Sequence, residues 1–116
     1  MVSTIAGTEE FGYNGDNIPA TSALLSYTSG LAVDSINNLV YIADTTNHRI
    51  RVVNCTSVLI DTFAGTGEHG YNGDNIPATS AMLYTPFGVT LTAPIISFIL
   101  QTQEIIAQGS FIAQVA

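Results

Sequence analysis

The chain has 116 residues and a formal charge of −7, from nine Asp and Glu against two basic side chains, Arg49 and Arg51, with no Lys. A phosphate-binding surface needs clustered Lys or Arg, so nucleic acid is excluded as a partner. With 47% apolar residues and a mean hydropathy of +0.36 the chain is too hydrophobic for intrinsic disorder.

In chain order, Met1–Thr4 has neither the basic segment nor the apolar run of a secretory leader. Val2–Ala6 reads as an outer strand, followed by a Gly-, Asn- and Pro-rich loop over 7–27. Four strands are predicted near residues 30–34, 39–44, 48–53 and 58–64. Turn signals at Ser35–Asn38, Thr45–Asn47 and Asn54–Ser57 separate them. The 35 Val, Ile and Thr residues suit that strand content. A second long loop follows over 65–85. Phe87–Leu100 leans apolar, but Thr90, Thr92, Pro94 and Ser97 interrupt it, short of the roughly 20 residues of a membrane helix. No membrane partner is expected. Residues 92–116 form an apolar, Gln-rich tail with one charge, Glu104. Ile95, Phe98, Ile99, Ile105 and Ile106 partly fit a helical stripe. A degenerate strand pair and a truncated or frame-shifted end are open alternatives.

The organising feature is an internal repeat. Gly12–Ala23 recurs without change as Gly70–Ala81, and Thr4-Ile5-Ala6-Gly7-Thr8 recurs as Thr62-Phe63-Ala64-Gly65-Thr66. The offset is 58 residues, with 19 identities in the 27 positions that align 4–30 with 62–88. One four-stranded antiparallel meander per period of about 40–60 residues is the signature of a β-propeller blade. Residues 1–91 are accordingly a propeller segment whose complete blade is 28–64. The fold class is all-β: about one complete blade plus partial blades, and a tail that is not repeat-like.

Leu39-Val40-Tyr41-Ile42-Ala43-Asp44-Thr45-Thr46-Asn47-His48-Arg49-Ile50-Arg51-Val52 resembles the NHL repeat, with Arg49 where the family's third letter is Leu. Ser29–Asp34 resembles the first strand of that repeat, and the Gly-Tyr-Asn-Gly-Asp-Asn segments resemble the loops of its extended forms. The resemblance covers residues 2–91 and implies a fragment of an NHL-type β-propeller. It also implies a non-catalytic binding or scaffold module with a protein partner and no cofactor. A fragment of a propeller lyase or hydrolase, with its catalytic residues on other blades, is the alternative.

In a meander, alternate connections share an edge, so the Thr45–Asn47 turn lies on one rim with both long loops. That rim gathers Glu9, Glu10, Asp16, Glu68 and Asp74, with Asp44 at its margin. Long loops on a rigid scaffold commonly carry binding residues, though acidic Gly-rich loops also serve as plain spacers. The candidate interaction residues are Tyr13, Asn14, Asp16 and Asn17, with their copies Tyr71, Asn72, Asp74 and Asn75. Asp34, Asp44, Asn47, His48, Arg49 and Arg51 are read as packing motif, with Asp44 holding its turn and the arginines pairing Asp34, Asp44 or Asp61. No catalytic or metal set is assigned. His48 and His69 lie on different units, zinc needs three or four converging ligands, and Asn14-Gly15-Asp16-Asn17 is a turn signal before it is a calcium loop. Cys55 is alone and is read as a turn residue within the sequon Asn54-Cys55-Thr56. Too few blades to close a ring should leave faces bearing Ile42, Ile50 and Val52 exposed, and the isolated chain self-associating.

Overall fold

The computed structural model describes residues 1–73, 75–92, 95–101 and 110–115, with side chains through residue 91 apart from 74. Strands β1 (Ile18–Pro19), β2 (Thr28–Asp34), β3 (Leu39–Asp44), β4 (Arg49–Asn54) and β5 (Leu59–Ala64) make one antiparallel sheet in the order β1-β5-β4-β3-β2. Strands β6 (Gly88–Thr92), β7 (Ile95–Gln101) and β8 (Ser110–Val115) make a second, in the order β6-β7-β8.

Turn chemistry sets the β2–β5 meander. Asp34 Oδ1 accepts from the Ile36 and Asn37 backbone N–H groups at 3.1 Å each, and its Oδ2 accepts from Asn37 Nδ2 at 2.8 Å. These bonds, led by that of the Asn37 amide, hold the Asp34 carboxyl below its ordinary range. Asn54 closes the β4–β5 turn likewise, its Oδ1 accepting from the Thr56 and Ser57 N–H groups. Strand register is continuous between β3 and β4, from Leu39 opposite Asn54 to Asp44 opposite Arg49.

One part of the sequence reading is revised. Val2–Ala6 is not a strand. Its counterpart Ile60–Ala64 is a strand through its pairing with residues 50–53, and Val2–Ala6 has no strand alongside it among the described residues. A strand without a neighbour has no ladder to join. The outermost strand is β1, contributed by the first long loop, with Ile18 opposite Ile60 and Pro19 opposite Leu59. Pro fits there because an edge position needs no outward N–H. In the tail, β7 and β8 are strands, one of the open alternatives, β6 pairs with β7 straight across residue 92, and Ile105 and Ile106 lie outside the described residues.

Both faces of β3–β5 are covered. Period-two alternation on β3 sends Tyr41 and Ala43 to one face and Val40 and Ile42 to the other. On the first face they pack with Ile50, Ala64, Leu83 and Val89. On the second they pack with Ala20, Ala23, Val53 and Ile60. Each long loop therefore shields one face with matching residues, Ala20 and Ala23 on one side and Ala78 and Ala81 on the other. Ile42, Ile50 and Val52 are consequently not the exposed apolar residues, and Ile50 is wholly buried. The open surface is on β2, where Leu31 and Val33 are 62% and 57% exposed beside a groove of about 400 Å³ reaching Ile5 and Leu25. Their counterparts 58 residues on, Val89 and Leu91, pack against the Tyr41 face.

The loops repeat in shape as well as sequence. Asn14 Nδ2 donates to Ser22 O and its Oδ1 accepts from Leu24 N–H; Asn72 does the same with Ser80 and Met82. Gly7 N–H donates to Ala20 O and Gly65 N–H to Ala78 O. Gly7 and Gly65 share a left-handed φ, +95° and +100°, but not surroundings. A Cβ on Gly65 would lie 2.4 Å from His48 O, whereas one on Gly7 would meet only Leu25 Cδ1 at 3.4 Å. Gly65→Ala should therefore destabilise by about 2–4 kcal/mol, and Gly7→Ala by about 1 kcal/mol. Urea unfolding of both variants measures this, and equal losses would refute a packing role for Gly65.

Candidate functional site

The rim is organised around the β3–β4 turn, Thr45–Asn47, a single 3₁₀ turn ending at His48 in the left-handed region (φ 53°). Both long loops converge on it. From the first, Gly12 O accepts from Asn47 Nδ2 at 2.7 Å, Ser26 O accepts from Thr46 N–H, and the Ser26 and Thr46 hydroxyls bond each other. From the second, Pro86 O accepts from Thr45 Oγ1 at 2.7 Å and His48 Nδ1 accepts from Thr85 N–H at 3.0 Å.

Beneath the turn lie two fully buried charges, Asp44 and Arg51. Asp44 Oδ1 accepts from Ser26 N–H at 2.8 Å, its Oδ2 accepts from Asn47 Nδ2 at 2.9 Å, and the same oxygen is 3.8 Å from Arg51 Nη1. Burial pushes the Asp44 carboxyl upward, against the pull of Ser26, Asn47 and the two guanidiniums. Arg51 Nη2 donates to Gly15 O at 2.8 Å and to Asp16 Oδ1 at 3.2 Å, and Nε donates to Asp61 O at 3.4 Å. Both guanidiniums meet the Tyr13 ring, Arg49 Cζ at 3.6 Å and Arg51 Cζ at 4.9 Å from its centroid. Arg49 Nη2 reaches the second loop at Thr66 O, 3.0 Å away.

Several sequence-derived candidates are thus occupied in holding the fold. Tyr13 and Asp16 meet the arginines, with Asp16 also accepting from Thr62 Oγ1 at 2.8 Å. Asn14 braces its own loop. Asn17 N–H donates to Asp61 Oδ1 and to Ile60 O at 2.8 Å each. In the second copy, Asn72 braces its loop, Asn75 is left-handed and exposed, Tyr71 is 56% exposed, and Asp74 lies outside the described residues. Of the expected partners Asp44 pairs with Arg51, which also pairs with Asp16, while the Asp34 and Asp61 carboxylates serve backbone N–H groups.

Two features escaped sequence reasoning. Phe11 and Tyr27 stack on the rim with centroids 5.2 Å apart and planes at 16°, although 70% and 66% exposed. Aromatic residues in an otherwise polar loop were the available signal. His48 and His69, placed on separate units by sequence, come together with ring centroids 5.3 Å apart, and Tyr84 packs edge-on against His69 at 5.3 Å. His48 lies below its ordinary range, first through burial, then through His69 and Arg49. Because Nδ1 accepts from Thr85, the proton of the neutral ring is on Nε2, so neither nitrogen keeps a lone pair for a metal. Among the described residues, no three His, Cys, Asp or Glu side chains converge.

Residues 25–53, covering β2, β3 and nearly all of β4, match the NHL repeat family. The chain is 38% identical over 61 residues to NHL repeat-containing protein 2 of Bos taurus, an alignment covering 47% of this chain and 8% of that relative. Residues 25–53 thus carry an NHL repeat, and the described strands have the all-β, antiparallel arrangement expected of a propeller segment. Repeats of this family commonly form protein-interaction modules.

The buried pair dictates an ordering of effects. Asp44→Ala should destabilise by about 3–5 kcal/mol because it removes the fully buried partner of Arg51 and leaves the Ser26 N–H and Asn47 amide without their acceptor. Asp16 is 43% exposed, so Asp16→Ala should cost about 1 kcal/mol or less. Urea unfolding of the two variants checks this, and a reversed order would refute the central place given to Asp44.

Proposed function

We propose that this chain is a non-catalytic binding module, engaging a protein partner through its long-loop rim. The observation that supports this best is the exposed Phe11–Tyr27 stack beside the exposed Glu9 and Glu10. Rigid, solvent-facing aromatic side chains are the usual anchors of an interface. Adjacent carboxylates on a chain of charge −7 favour a segment that combines Arg or Lys with apolar residues. Cationic side chains can also stack on the two rings. Panning the immobilised chain against a random peptide display library tests the reading. Enriched peptides should carry Arg or Lys beside apolar residues, and Phe11→Ala with Tyr27→Ala should weaken them by at least about tenfold, roughly 1.4 kcal/mol. Peptides unaffected by that double variant would refute this assignment of the rim.

The second surface of the proposal is self-association through β2. Leu31 and Val33 stand open where their counterparts Val89 and Leu91 are packed on a sheet. In light scattering coupled to size-exclusion chromatography, the wild-type chain should run larger than a monomer, and Leu31→Ser with Val33→Ser should shift it to monomer. A monomeric wild-type chain would remove this element of the proposal.

A further inference from the structure

We propose that His48 is a proton-operated latch: neutral, it holds the Tyr84–Pro86 end of the second long loop against the β3–β4 turn, and on protonation it lets that segment go. The bond concerned joins residues 37 apart, Thr85 N–H donating to His48 Nδ1 at 3.0 Å in a part-buried setting. A proton on Nδ1 replaces the acceptor with a donor that points at another donor. The bond cannot survive that change, and the Thr85 N–H loses its partner.

Among the described residues, no neighbour compensates the imidazolium. The groups acting on His48 are His69 and Arg49, both of which oppose a positive charge, and the Tyr84 ring, 5.9 Å away, is the third neighbour. Asp44, the carboxylate of the preceding strand, is committed to Ser26, Asn47 and Arg51. A second imidazole 5.3 Å away adds repulsion once both rings carry protons.

Both ends of the bond are also conformationally loaded. His48 has φ 53° and Thr85 has φ 41°. A β-branched residue is an outlier at positive φ, held there only by its surroundings. Thr85 Oγ1 is buried with no hydrogen-bond partner among the described residues, and release would hydrate it. Downstream, Pro86 O is bound by Thr45, and the chain then enters β6, where Gly88 comes so close to Gly30 that a Cβ there would lie 3.4 Å from Gly88 Cα. The latch therefore sits at the joint between the two sheets.

In the latched state His48 lies below its ordinary value of 6.5, and release returns it towards that value. The released form then takes up a proton more readily. The latch is at full strength above pH 6.5 and weakens as pH falls below it.

Amide hydrogen exchange of the full chain by NMR, corrected for intrinsic rates, tests the latch between pH 7.5 and 5.0. Thr85 protection should fall by about tenfold by pH 5.5, one unit below the released value. The Tyr27 amide, its counterpart in the first loop with φ 51° and no His acceptor, should show no such step. His48→Gln should abolish the step, and His69→Gln, by removing one of the charges that oppose protonation in the latched state, should make it smaller. Flat Thr85 protection in the wild-type chain, an equal step at Tyr27, or a step surviving in His48→Gln would each overturn the proposal.

Discussion

A guanidinium taken wholly out of water has to be met by charge and hydrogen-bond acceptors, and Arg51 imposes that requirement on the middle of this fold. Asp44 answers it from β3, and Gly15 and Asp16 answer it from the first long loop. Because the loop's contribution includes a backbone carbonyl, the loop is held in one path rather than merely attracted. That path carries Ile18–Pro19 to the edge of β5 and lays Ala20 and Ala23 on the sheet. One buried cation thus joins the meander to a segment that lies 35 residues away in the chain.

The two identical twelve-residue segments show how context assigns work to sequence. Each folds into the same braced loop, with Asn14 or Asn72 spanning it and a short 3₁₀ turn at 20–22 or 78–80. The first lies on the Val40 face and the second on the Tyr41 face, so the sheet is enclosed by two copies of one element. The second loop also closes against His48, which is where the proton sensitivity arises. Arg49 touches both loops, through the Tyr13 ring and Thr66 O.

The meander was legible in part because two of its strands end in residues, Asp34 and Asn54, whose side chains satisfy local backbone donors. Such information is local and survives in one dimension. The strand assigned to Val2–Ala6 failed for the complementary reason: a strand is defined by its neighbour, and among the described residues none lies beside this segment. Asp44 and Arg51 of the motif are buried beneath the turn, and the salt-bridge partner Asp16 lies outside the motif. The Phe11–Tyr27 stack and the His48–His69 contact were hidden, since each joins residues from different turns of the chain.

The sequence by itself determined the repeat, the all-β class, the positions of the turns and the acidic character of the rim, because these follow from residue type and spacing alone. Only the tertiary structure decided which candidate residues remain available. Tyr13, Asp16 and Asn17 are drawn into the blade, whereas Phe11 and Tyr27 are left facing solvent. The physical reason is that buried charges and backbone donors take the nearest acceptors in space, and nearness in space is set by the crossing of loops over the sheet rather than by order along the chain.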